Sequence, residues 1–350
     1  MRKFLSDKFS SLSPYVPGEQ PKDMQYIKLN INESPFAPSQ AVLSAVAQEA
    51  KKLQLYSDPD LSELLKALSE VYSVDTKNII ATNGSDEVLN FAFMAYTDKT
   101  HTAVFPNITY GFYSVFAKLH NSPYIEIPLK DDFSIDYRDY VGLNKTIFIA
   151  NPNAPTGLTL SLDEIREILK SNPDNVVIID EAYVDFGGES AVPLIKEFDN
   201  LLVTGTFSKS RSLAGARLGF GFASEKIIED LNTIRFSTNP YNVNRMTLAA
   251  GVASLRDDGY NKKNAEKIIA TRERVKSELE KMGFYCLDSK ANFLFAKKDG
   301  VSGKELYLAL KEKGVLVRHF DKEIIGDFLR ITIGTDAQMD TFLSVLKELL

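Results

Sequence analysis

Apolar residues recur at three- and four-residue spacing over 38–53, 59–72 and 85–96, which predicts amphipathic helices with one buried face. Between and after them lie short runs that are apolar almost throughout, at 78–82, 102–105, 146–150, 175–180, 200–205 and 218–223. Strands of that kind are covered on both faces, so the alternation predicts an α/β fold with a large, mainly parallel sheet. After Tyr241 the texture changes to long charged helices at about 242–256 and 260–282. Short β runs follow at 285–288, 292–296, 315–320 and 328–334, with helices at about 303–313 and 336–350. That is the pattern of a smaller α+β domain. Pro14, Pro17, Pro21, Pro35 and Pro38 punctuate the beginning of the chain, which therefore reads as an extended arm. The expected division is an arm over 1–37 packing on the small domain, a large domain over 38–250 and a small domain over 251–350.

Composition narrows the chemistry. The 350 residues carry 41 Lys and Arg against 47 Asp and Glu, a net charge of −6, so no chain-wide cationic field is available for nucleic acid or an anionic membrane. One cysteine, Cys286, and three histidines, His101, His120 and His319, exclude a disulfide framework and a cysteine-rich metal centre, and no metal is expected. The first residues lack the apolar core of a secretory signal, and no run approaches a membrane span. The expected location is the cytoplasm and the expected partners are small molecules.

Chemically useful residues gather where the apolar runs end. Asp180 closes the run 175–180 and is followed by Glu181, Ala182 and Tyr183. The next run leads into Thr206, Phe207, Ser208 and Lys209, with Arg217 eight residues further on. In open α/β sheets that edge is where ligands bind. Thr206, Ser208 and Arg217 suit a phosphate monoester; Lys209 is an amine able to form an imine with an aldehyde. Asp180 could pair with a pyridinium nitrogen and Tyr183 could bond a phenolic oxygen. Pyridoxal 5'-phosphate has all four features.

The segments Asn151-Pro152-Asn153-Ala154-Pro155-Thr156-Gly157, Asp180-Glu181-Ala182-Tyr183, 206–220 and 329–334, in this order, resemble the class I and II aminotransferases of fold type I. The resemblance implies that Lys209 is the catalytic lysine that binds the cofactor. It further implies Asp180 at the pyridine nitrogen, Tyr183 at the ring hydroxyl, Tyr110 stacked on the ring, and Thr206, Ser208 and Arg217 at the phosphate. Gly84, Ser85 and Asp86 open a helix whose free N–H groups would meet the same phosphate. Where relatives carry an asparagine on the ring hydroxyl this chain has Ala154, so either Asn153 reaches that oxygen or Tyr183 acts alone; Asn153 is the expected ligand. Tyr56 resembles a tyrosine that crosses to the phosphate from a neighbouring subunit, which implies a homodimer with shared sites.

The arm motifs 13–18 and 29–35, and 240–244, resemble those of the histidinol-phosphate aminotransferases within that family. Tyr15, Asn32, Tyr241, Asn242, Arg318 and Arg330 are thereby implied as substrate ligands, Arg318 and Tyr15 toward a substrate phosphate and Arg330 toward the carboxylate of glutamate. The implied reaction moves an amino group from glutamate to imidazole acetol phosphate. Alternatives on the same fold are an aromatic or broad-range aminotransferase and a threonine-phosphate decarboxylase. A ligand-sensing regulator without catalysis would need an added DNA-binding module, for which the chain has neither length nor charge.

Overall fold

The computed structural model describes residues 4–6, 9, 12, 15 and 17–350; Ser13, Pro14 and Val16 of the arm motif lie outside the described residues. In chain order the elements are β1 (Ile27–Lys28), α1 (Gln40–Ala50), α2 (Ser62–Tyr72), β2 (Ile79–Thr82), α3 (Ser85–Tyr96), β3 (Ala103–Pro106), α4 (Phe112–Leu119) and β4 (Tyr124–Ile127). Next come β5 (Thr146–Ala150), α5 (Leu162–Ser171), β6 (Val177–Asp180), β7 (Leu201–Thr206), β8 (Gly219–Ala223), α6 (Glu225–Thr238) and α7 (Arg245–Arg256). The chain ends with α8 (Asp258–Lys281), β9 (Tyr285–Cys286), β10 (Phe293–Lys297), α9 (Gly303–Glu312), β11 (Val315–Leu316), β12 (Arg318–His319), β13 (Leu329–Thr332) and α10 (Asp336–Leu349).

Seven strands form the main sheet in the order β2-β8-β7-β6-β5-β3-β4. Neighbours from β7 through β4 run parallel, while β8 lies antiparallel to both β2 and β7. Every residue of β5, β6, β7 and β8 is buried, which is why these segments read as unbroken apolar runs. The register sets Ala150 beside Asp180 and Thr206 beside Gly219, so the carboxyl ends of β5, β6 and β7 and the start of β8 share one edge. That edge holds the candidate chemistry.

The hydrophobic pattern passed over α4, α5, α6 and β4. Helix α5 carries a reciprocal capping box between Ser161 and Glu164 that marks its start in sequence. Helix α4 is short and aromatic, and β4 is a partly exposed edge strand, so neither repeats long enough to register.

A second core gathers side chains from α8, α9, α10 and the four-stranded antiparallel sheet β12-β13-β10-β9. The arm joins it: β1 pairs in parallel with β11, Leu29 N–H donates to the Leu316 carbonyl at 2.7 Å, and the Leu29 side chain is buried there. Asn32, at φ 58°, is then pinned from both sides. Its N–H donates to Thr332 Oγ1 at 3.0 Å and its carbonyl accepts from Asn292 Nδ2 at 3.0 Å. Asparagine tolerates this left-handed backbone better than most side chains.

Candidate active site

Two adjoining cavities of about 190 and 270 Å3 meet at Lys209, Tyr183, Tyr110, Ala154 and Ile31. Together they have the size of a small-molecule site, roughly 300–1,000 Å3. The inner cavity lies on the strand-end edge of the main sheet; the outer one opens between the arm, the large lobe and the small lobe.

At the floor of the inner cavity is Asp180, the buried last residue of β6. Its Oδ1 accepts from Thr204 Oγ1 at 3.0 Å and its Oδ2 from the Tyr113 hydroxyl at 3.2 Å. Burial outweighs these bonds and pushes the carboxyl up to about 6. Neither partner was singled out from sequence. Thr204 shares a strand face with Thr206, a period-two relation that could have revealed it. The next residue, Glu181, is also buried and accepts from Ser190 Oγ at 2.6 Å and from the Ala191 N–H at 2.5 Å; burial pushes it up to about 8.

At the opposite end α3 begins behind Gly84, at φ 82°, so the Ser85 and Asp86 N–H groups at its start lack intrahelical acceptors and its positive dipole end faces the cavity. Thr206 Oγ1 donates to Ser208 Oγ at 3.0 Å and accepts from the Ser208 N–H at 3.1 Å, a compact hydroxyl pair on the same wall. Arg217 Nη2 donates to Asp86 Oδ2 at 3.1 Å, and the Tyr110 hydroxyl donates to Asp86 Oδ1 at 2.6 Å. Asp86 thus bridges the arginine and the aromatic wall. Burial and the Asp86 carboxylate hold the Tyr110 hydroxyl well above its usual range, which keeps it a donor. A Cβ on Gly84 would stand 2.6 Å from Arg217 Nη2 and push the guanidinium aside, and the positive φ itself favours glycine there.

Lys209 Nζ has one weak acceptor, the Ile31 carbonyl at 3.4 Å, and stands 5.7 Å from the centre of the Tyr183 ring. The Tyr183 hydroxyl accepts from Asn32 Nδ2 at 2.9 Å. An amine with so loose a partner, a buried carboxyl, a phenol and an N–H-rich, arginine-capped end fit a phosphorylated pyridine aldehyde.

Around the outer cavity stand Tyr15, Arg318, Lys322 and Arg330. Tyr15 packs on Phe112 with ring centres 4.3 Å apart. Arg330 Nη2 donates to the Asn30 carbonyl at 3.0 Å, while its buried Nε has no hydrogen-bond partner among the described residues. Burial lowers the pKa of this guanidinium; Tyr183 opposes that shift and nearby Arg318 adds to it.

Among the implied site residues, Asn153, Tyr241 and Asn242 lie outside the lining of both cavities. Asn153 is not in the lining of either cavity; Ala154 is. The Asn153 amide donates to the Ile108 carbonyl at 2.9 Å and to Thr156 Oγ1 at 3.2 Å, and its Oδ1 accepts from Thr109 Oγ1 at 2.7 Å, so its polar atoms brace the loop. Tyr241 also stands outside both cavities, exposed and stacked on Tyr56 with ring centres 4.5 Å apart. Asn242 is buried behind α3, where its Nδ2 donates to Glu87 Oε2 at 2.6 Å; it supports the helix start instead of lining the substrate space. Tyr56 itself, 79% exposed, reaches neither cavity of its own chain.

Residues 24–346 match the family model of the class I and II aminotransferases. The chain belongs to the class I and II aminotransferases. Among curated aminotransferases of this family, histidinol-phosphate aminotransferase of Brachyspira hyodysenteriae is 51% identical, over 100% of this chain and 99% of that protein. The Clostridium acetobutylicum enzyme of the same name is 47% identical over 99% of each chain. The solved histidinol-phosphate aminotransferase of Sinorhizobium meliloti, in complex with pyridoxal-5'-phosphate, shares the fold with a TM-score of 0.88 over 99% of both chains at 24% identity.

Proposed function

We propose that this aminotransferase transfers the amino group of L-glutamate to imidazole acetol phosphate, giving 2-oxoglutarate and L-histidinol phosphate. The observation that carries the reading is the outer cavity. Arg318 and Arg330 line it together with Lys209, and among the described residues no carboxylate does, so it suits substrates with an anionic group at a distance from the amine. Full-length relatives of 51% and 47% identity named for this activity support the choice of substrate.

In this reading Lys209 would hold the cofactor aldehyde through Nζ, and with substrate bound its free amine would be the base that takes the proton from the substrate carbon. Pyridoxal phosphate supplies the electron sink that stabilises the charge left when the substrate C–H bond breaks. Asp180 holds the ring nitrogen in its protonated form, and Tyr183, oriented by Asn32, bonds the ring oxygen. Tyr110 covers one face of the ring. Gly84, Ser85, Asp86 and α3, with Thr206, Ser208 and Arg217, hold the phosphate at the far end. Arg330 takes the α-carboxylate of glutamate, while Arg318 and Tyr15 take the phosphate of the other substrate. Because histidinol phosphate has no carboxylate, one cavity serves both halves of a ping-pong exchange.

We infer further that two copies share their sites, with Tyr56 reaching the phosphate of the partner. The exposed Tyr56–Tyr241 pair lies beside a groove of about 810 Å3 between α1, α2 and α7, walled by Leu61, Leu64, Leu248 and Val252, a surface suited to a second copy. Cytoplasmic residence fits a chain with no membrane-length apolar helix among the described residues.

The test is direct. Purified protein loaded with pyridoxal phosphate should convert glutamate and imidazole acetol phosphate to histidinol phosphate, and Lys209→Ala should lose both this exchange and the borohydride-sensitive yellow colour. Ready use of phenylalanine without exchange on the phosphorylated substrate would mean an aromatic aminotransferase. Carbon dioxide from threonine phosphate would mean a decarboxylase.

A further inference from the structure

The outer cavity holds one more cation than the proposed reaction has used. Lys322 sits in the loop between β12 and β13 at the cavity mouth, opposite the large-lobe residue Asn107. Its Nζ donates to the Asn107 carbonyl at 3.5 Å, the outer limit of a hydrogen bond, and among the described residues no carboxylate forms a salt bridge with it. Asp321 and Glu323 flank it in sequence but do not line the cavity. Several lysines elsewhere on the protein differ. Lys311 is paired with Glu19, Lys276 with Asp288 and Lys262 with Asp258.

An arginine fork engages two oxygens of an anion at once, which pairs both oxygens of a carboxylate. A phosphate monoester keeps a third terminal oxygen and close to a second negative charge, and a compact ammonium suits that remaining oxygen. At equal distance the attraction to a dianion is twice that to a carboxylate. A lysine held by only a long contact to a neutral carbonyl can exchange it for an anionic oxygen with little loss.

We propose that Lys322 is a specificity-determining residue, which with Arg318 grips the phosphate of the phosphorylated substrate and discriminates it from the carboxylate of glutamate. This rests on the reading of a phosphorylated substrate given above. Arg318 alone is adequate for the distal carboxylate of glutamate; Lys322 is engaged only when the third oxygen is present.

The experiment uses the cofactor-loaded enzyme and follows each half-reaction separately. Lys322→Met should lower kcat/KM for histidinol phosphate about tenfold or more, mainly through KM, and change that for glutamate by no more than about twofold. Lys322→Arg should restore most of the loss. Inorganic phosphate, as an inhibitor competitive with glutamate, should bind the methionine variant more weakly by a similar factor. Equal losses on both substrates would make Lys322 a contact between lobes, and no loss would leave it without a role; either result overturns the proposal. If the wild type does not act on histidinol phosphate at all, the functional reading fails and this inference falls with it.

Discussion

Arg318 on β12 and Arg330 on β13 stand directly opposite each other in the antiparallel ladder, both facing the outer cavity. Like charges opposed across a ladder destabilise it, so the pair is a local cost in the ligand-free protein that a bound anion removes. The two should separate by substrate. Arg330→Lys, which loses the fork but keeps the charge, should reduce kcat/KM for glutamate by about ten- to a hundredfold and spare histidinol phosphate. Arg318→Lys should reduce kcat/KM for both substrates, and more for histidinol phosphate, because Arg318 meets the phosphate of one and the distal carboxylate of the other. Equal losses on both substrates from Arg330→Lys would refute this division.

The pH dependence of stability should trace to buried carboxyls. Glu181 has its pKa raised from 4.5 to about 8, and Asp180 from 3.8 to about 6, chiefly by burial. A raised folded value means that the stabilising contribution is complete below the unfolded pKa and disappears as pH climbs through the folded one. For Glu181 that window runs from about 4.5 to 8. Ligand-free Glu181→Gln should therefore gain stability over the wild type across this range, on the order of 2–4 kcal/mol by pH 8.5. Urea unfolding at pH 5 and pH 8.5 measures it; a gap that stays constant would show that Glu181 does not titrate in this way.

Gly219 permits the closest backbone approach in the site. A Cβ there would overlap the Ser85 N–H and the Gly84 carbonyl carbon, where β8 begins against the start of α3. Gly219→Ala should cost on the order of 3 kcal/mol and displace the helix end proposed to hold the cofactor phosphate. Denaturant midpoints and pyridoxal phosphate titration would report the two effects, and a variant matching the wild type in both would exclude so tight a contact.

Shared sites can be tested by mixing. Tyr56→Phe and Lys209→Ala chains, each impaired alone, should regain activity on subunit exchange because half of the sites in a hybrid combine both intact residues. A mixture no more active than its parents would place Tyr56 outside the neighbouring site.

Much of the site could be read from the chain because its residues sit at the ends of buried strands. Asp180, Thr206, Ser208 and Lys209 each follow an apolar run, and an apolar run buried on both faces fixes where its end must point. Tyr15, Tyr241 and Asn242 come from motifs without that constraint. The fold brought Tyr15 to the cavity, left Tyr241 on the surface against Tyr56, and placed Asn242 under α3. Asn153 shows the limit most clearly. Its neighbour Ala154 faces the cavity, and a shift of one residue turned the polar side chain inward to three loop partners.

By itself the sequence determined the α/β layering, the order of buried strands and the set of reactive side chains, because periodicity and burial are local properties repeated over many residues. Only the tertiary structure decided that Tyr113 and Thr204 hold Asp180, that Asp86 bridges Tyr110 and Arg217, and that Lys322 joins Arg318 and Arg330 at one mouth. Those relations depend on the angle and register at which separate elements meet. Packing sets both, and no single segment encodes them.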